Sequence, residues 1–174
     1  MDGLQECGQS PSMIGGNRMT IQDNTIVKPI PTDELLAEKE RKWRLTLPTD
    51  YRNFVVNCNG GLPNERSFEC NKHCYALTRF LCILENFQNT QNGWYDISVV
   101  NSQIGERLTD NEDLIGVEVL PIAELFAGNY VCLDYRKNKE EPSVCVWDHE
   151  ASEEFSPVTY HVADTFSEFI AMLR

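Results

Sequence analysis

Apolar positions recur at helical spacing first and most clearly around residue 50, where Tyr51, Phe54, Val55 and Cys58 fall at i, i+3, i+4 and i+7. That spacing gathers an aromatic-rich stripe on one side of a short helix, and such a stripe must be buried. Both ends are written into the chain. Pro48 suits a first turn, where its missing N–H would have had no partner, and Asn59-Gly60-Gly61 supplies a left-handed closing glycine. Upstream, Thr32 reads as the cap of a helix with Asp33 and Glu34 in its first turn, carrying Leu35, Leu36, Lys39 and Trp43 to about Arg44.

Downstream, residues 62–65 carry turn residues and residues 75–84 form an apolar run that predicts a buried strand, ended by residues 89–93. Ile97, Val100, Ile104 and Leu108 return to helical spacing, with polar side chains between them. Residues 114–122 read as a strand that Pro121 weakens. After the Gly128-Asn129 turn, residues 130–134 and 143–148 predict an antiparallel pair across a charged loop. Residues 159–162 could add one more strand. Asp164 then reads as the cap of a last helix bearing Phe166, Phe169, Ile170 and Leu173. Helices at both ends and strands between them predict an α+β fold, a single domain whose mixed, mostly antiparallel sheet is flanked by helices. Residues 1–24 show neither period and read as a flexible N-terminal extension, which leaves 25–174 as the domain.

Composition narrows the partners. The 174 residues hold 15 basic against 27 acidic side chains, a net charge of -12 that repels phosphate backbones and anionic lipid and would steer a basic protein toward the surface. No nucleic acid and no membrane are therefore expected as partners. No apolar run reaches the roughly 18 residues of a membrane span. Seven cysteines, an odd number, without a secretory leader pattern argue for the reducing cytoplasm.

Cys70, His73 and Cys74, with Cys58 and Cys82 near in sequence, invite zinc, but no paired C-x2-C knuckles occur and Cys58 and Cys82 sit in apolar settings. No metal and no cofactor are assigned. Cys132 and Cys145 lie mid-strand among Val, Leu and Trp with no activating neighbour in sequence, so no catalytic residue is assigned and the chain is not expected to be an enzyme. His161 reads as structural. Trp147-Asp148-His149-Glu150, an aromatic beside acids at a strand exit, can anchor a basic partner; the competing reading puts Trp147 in the core and leaves the acids to solvate a turn. Asp134 would join that site if the two strands are neighbours. Asp134, Trp147, Asp148, His149 and Glu150 are thus the candidate partner-binding residues, with the polar stretch 67–74 as the alternative surface.

The order of these motifs resembles the SUKH superfamily, which takes in fungal Smi/Knr-type cell-wall regulators and bacterial immunity proteins. Leu47-Pro48 with Tyr51, Phe54 and Asn59-Gly60-Gly61 carries the resemblance, followed by Leu120-Pro121-Ile122 through Gly128-Asn129 to Cys132-Leu133-Asp134. Val144 to His149, and Val162-Ala163-Asp164 with Phe166 and Phe169, complete it. The resemblance implies a mixed α+β sheet fold with no known catalytic site. It further implies a cytoplasmic protein that neutralises a partner toxin by covering it, a basic nuclease or other basic toxin domain, or else a regulatory or scaffolding module acting on a cellular enzyme.

Overall fold

A computed structural model describes residues 19–174. The first helix, α1 (Asp33–Trp43), starts where its cap predicts: the Thr32 hydroxyl accepts a hydrogen bond from the Leu35 N–H at 3.2 Å, and the helix closes at Arg44 with φ 58°. Helix α2 (Thr49–Asn57) buries the stripe, with Tyr51, Phe54, Val55 and Cys58 all inaccessible to solvent or nearly so. Arg52 ties it to α1 through Asp33 and Glu40, each at 3.0 Å.

The sheet is a six-stranded antiparallel meander in sequence order: β1 (Ser67–Cys70), β2 (His73–Phe80), β3 (Val119–Leu125), β4 (Tyr130–Asp134), β5 (Ser143–Trp147) and β6 (Thr159–Ala163). Between β2 and β3 stand α3 (Ile97–Ile104) and a 3-10 turn over Gly105–Arg107, so the third apolar stripe changes pitch before Leu108. The last helix, α4 (Phe166–Met172), packs beside α2. The Phe166 ring lies 5.0 Å from Tyr51 and 5.3 Å from Phe54, while Phe54 meets Phe80 of the sheet at 4.7 Å. Asp50, at the start of α2, accepts both the N–H and the hydroxyl of Ser167, so one carboxylate serves the first turns of two helices.

Several expectations are corrected. The polar stretch 67–74 forms the β1–β2 hairpin up to Cys74. Its turn residues Asn71 and Lys72 both take positive φ, as a two-residue turn in this geometry requires, and Phe68 is buried beneath it. The apolar run 75–84 leaves the sheet at Phe80, because the N–H groups of Ile83 and Leu84 are taken by the side chains of Asn59 and Asp96. Residues 114–118 lie outside β3, Leu114 and Ile115 being exposed, and the register shift between Pro121 and Ala123 absorbs the proline inside the strand. Thr165, not Asp164, caps α4, accepting from the Glu168 N–H at 3.1 Å. The extension expected over 1–24 lies outside the described residues up to 18. From Met19 on the chain is packed: Met19 is buried, Ile21 bridges Pro63, and Val27 lies under Asn59.

Candidate partner-binding surface

The end of β5 is fixed from below. Trp147 is fully buried, its indole N–H donating to the Arg107 carbonyl at 2.8 Å and its ring flanked by Tyr130 and His149. Of the two readings of this residue, the core one holds. Strand alternation then turns Asp148 to the other side of the sheet. Asp148 Oδ1 accepts the N–H groups of Glu150 and Ala151, each at 3.0 Å, folding the chain into a turn stabilised by its own side chain. Arg107 clamps that turn from outside, donating to the carbonyls of His149 and Ser152 and approaching His149 Nδ1 at 3.1 Å. Since an arginine can only donate, His149 Nδ1 serves as the acceptor there. His149 thus holds the turn in place, and its N–H is fixed by the Asn129 side chain at 2.8 Å. Glu150 is exposed, on a turn that the surrounding bonds keep still.

Asp134 does not join this site. The strands are neighbours, but the register sets Asp134 opposite Ser143 and Tyr130 opposite Trp147. Four residues of β4 at about 3.3 Å each put some 13 Å between the two ends. The Asp134 carboxylate is also occupied. Arg136 grips it with Nε at 2.9 Å and Nη2 at 2.7 Å, then reaches Thr159. Burial opposes ionisation of Asp134, yet the hydrogen bonds and charge of Arg136, with Lys137 beyond, outweigh it and hold the carboxyl below its usual range.

What Asp148 and Glu150 do share is a groove of about 420 Å³ with His73, Cys74, Tyr75 and Ala76 of β2, Tyr160 of β6, and Phe126. The two surfaces that the sequence offers as alternatives therefore meet: the hairpin forms one wall and the turn after β5 the other. Phe126, which the sequence reading passed over, is 80% exposed and the most exposed large apolar side chain among the described residues. It follows Leu125 at the end of β3, just before Ala127 and Gly128, both at positive φ. The available signal is an aromatic two residues before the Gly128-Asn129 turn, where strand alternation no longer carries it inward.

Among the described residues Cys58, Cys70, Cys82, Cys132 and Cys145 are buried packing residues. Cys70 points inward with its sulfur 3.3 Å from the His161 carbonyl, whereas Cys74, opposite Glu69 in the hairpin, is exposed. Burial first, and the nearby Asp96 second, pushes the Cys82 thiol up to about 12. Burial, then Cys145 directly opposite, raises Cys132 well above the ordinary thiol range. Both stay thiols at neutral pH, so neither is poised as a nucleophile. Among the described residues no three His, Cys, Asp or Glu side chains converge as metal ligands.

Residues 33–170 match the model of the family SUKH_6, described as SMI1-KNR4 cell-wall. The chain is also similar to the SPbeta prophage-derived uncharacterized protein YokK of Bacillus subtilis (strain 168), with 26% identity over 149 residues, which covers 83% of this chain and 75% of the relative. No solved structure matches it.

Proposed function

The chain belongs to the SUKH superfamily, and from that premise we propose that it is a non-catalytic immunity protein that neutralises a cognate basic toxin domain by covering it. Membership itself supports an immunity or Smi/Knr-type protein. The observation that carries the finer reading is the turn after β5, where Asp148 and Glu150 stand on a strand end locked by Arg107, on a chain of net charge -12. A rigid acidic turn can guide a basic partner into contact at little ordering cost. The work is done in the cytoplasm, where a toxin domain would act, and involves no nucleic acid. Among the described residues no helix is long and apolar enough to cross a membrane.

The family description favours a second reading, a regulatory or scaffolding module of the Smi/Knr type acting on a cellular enzyme. Co-expression separates the two. A toxin domain encoded beside this chain's gene is produced in a bacterium with and without the chain, and growth is followed. Restored growth and co-elution of the pair support immunity. Unrelieved toxicity from every neighbouring toxin domain rejects it and leaves the regulatory reading.

A further inference from the structure

The groove between the β1–β2 hairpin and the turn after β5 combines three features. Its rim carries an aromatic ring standing in water, Phe126 at 80% exposure. Its floor is partly buried aromatic surface, Tyr75 and Tyr160. Its far wall holds two carboxylates: Glu150 is exposed, and Asp148 spends only Oδ1 on the turn. The cleft that contains Asp134 differs in kind, since that carboxylate is saturated by Arg136 and Lys137 stands beside it. The acidic loop at residues 110–113 has exposed Leu114 and Ile115 next to it but no aromatic ring.

Resting on the reading of a basic protein partner, we propose that this groove receives an arginine side chain of that partner, stacked on Phe126 and paired with Asp148 and Glu150. Arginine fits better than lysine. Its planar guanidinium can lie on a ring face while its edge meets carboxylates, and it sheds water more readily than a compact ammonium. Both walls are already ordered, the turn by Arg107 and the hairpin by the pairing of β1 with β2, so the groove is formed before the partner arrives. The partner segment is an exposed loop or strand end with an arginine beside an apolar residue, the latter covering the rest of the Phe126 ring.

The test uses the full chain, labelled with 15N, and two synthetic pentapeptides: acetyl-Gly-Leu-Arg-Leu-Gly-amide and its lysine counterpart. Peptide binding is expected to shift the amides of Ala76, Phe126, Asn129 and Glu150, with arginine favoured about two- to fivefold, the effect of an exposed cation–aromatic contact. Phe126→Ala should erase that preference while leaving the melting temperature nearly unchanged, because the side chain is mostly exposed. Replacing Asp148 and Glu150 by their amides should weaken both peptides. Cys74 lines the groove and is exposed, so its alkylation, followed by mass mapping to separate it from Cys7, should slow when the arginine peptide is present. Shifts spread equally over residues 110–113 and 138–141, an unchanged preference in Phe126→Ala, or no groove shifts at about 10 mM peptide, a very weak affinity, would each overturn the proposal. Growth rescue by the chain with a silent groove leaves the immunity reading standing and moves the interface elsewhere. Groove binding without rescue removes the toxin and keeps the arginine site.

Discussion

The side-chain amide of Asn59 closes on the main chain of Ile83 from both sides: Oδ1 accepts the Ile83 N–H at 2.8 Å and Nδ2 donates to the Ile83 carbonyl at 3.0 Å. Fully buried, it takes the place of a neighbouring strand where the chain leaves β2, and the same Nδ2 lies within reach of the Val27 and Pro29 carbonyls. Asn59→Ala should therefore destabilise by roughly 1–3 kcal/mol for each buried group left without a partner. Denaturant unfolding reads this as a lower midpoint. Asn59→Asp keeps the acceptor but buries a carboxylate against carbonyl oxygens. Its folded-state pKa must rise, so this variant should gain stability as pH falls below neutrality, whereas the parent should not.

Gly60 and Gly61 both take positive φ, 71° and 106°. The expectation of one closing glycine becomes two, because the chain turns away from α2 through Cys58 before it bends back. A Cβ on Gly60 would meet the Phe80 carbonyl at 3.2 Å, and one on Gly61 would meet Ile21 at 2.8 Å. Alanine at either position should cost roughly 1–2 kcal/mol from backbone handedness alone. Gly61→Ala should also loosen residues 20–25, read as faster hydrogen exchange at the Gln22 amide, which donates to Leu62. A negligible loss at either glycine rejects this account of that position.

Phe54 sits between Phe80 and Phe166, joining sheet and last helix. Truncation to alanine should cost about 3–5 kcal/mol, the range for a buried aromatic side chain. Chemical unfolding measures it, and a loss under about 1 kcal/mol would show that the cluster refills the space.

Asp134 owes its lowered pKa to Arg136, against the cost of burial. A depressed carboxylate stabilises the fold at pH values above its unfolded pKa of about 3.9, and that contribution is lost as pH falls through the lower folded value. Asp134→Asn should therefore be less stable than the parent at pH 7, with the gap closing in strong acid. Thermal unfolding across that range checks it.

With a cognate toxin domain in hand, changing Asp148 and Glu150 to their amides should slow association and flatten its salt dependence, leaving the melting temperature nearly unchanged. Asp134→Asn should do the reverse, lowering stability while sparing the association rate, since that carboxylate is already paired inside the molecule. Stopped-flow binding at two salt concentrations separates the cases. Equal rates for all three proteins would remove the turn after β5 from the encounter.

Local pattern was enough for much of this protein. The Thr32 cap, the stripe from Tyr51 to Cys58, the antiparallel pair ending at Asp134 and Trp147, and the burial of Phe166 and Phe169 all follow from periodicity and end signals, interactions among residues a few positions apart. The order of those motifs carried the family as well. Tertiary structure decided what periodicity does not encode. Asp134 and Trp147 both end neighbouring strands, yet because those strands run antiparallel the two residues lie at opposite ends of the pair. Asn59 and Asp96 draw the apolar run 81–84 out of the sheet by supplying acceptors from distant parts of the chain. Phe126 stands in water because the turn after β3 takes it off the core face, and its meeting with the hairpin and with Glu150 depends on the approach of β1 to β6, where the Cys70 sulfur reaches the His161 carbonyl. Long-range pairing sets such positions, and a sequence shows only which residues are available for it.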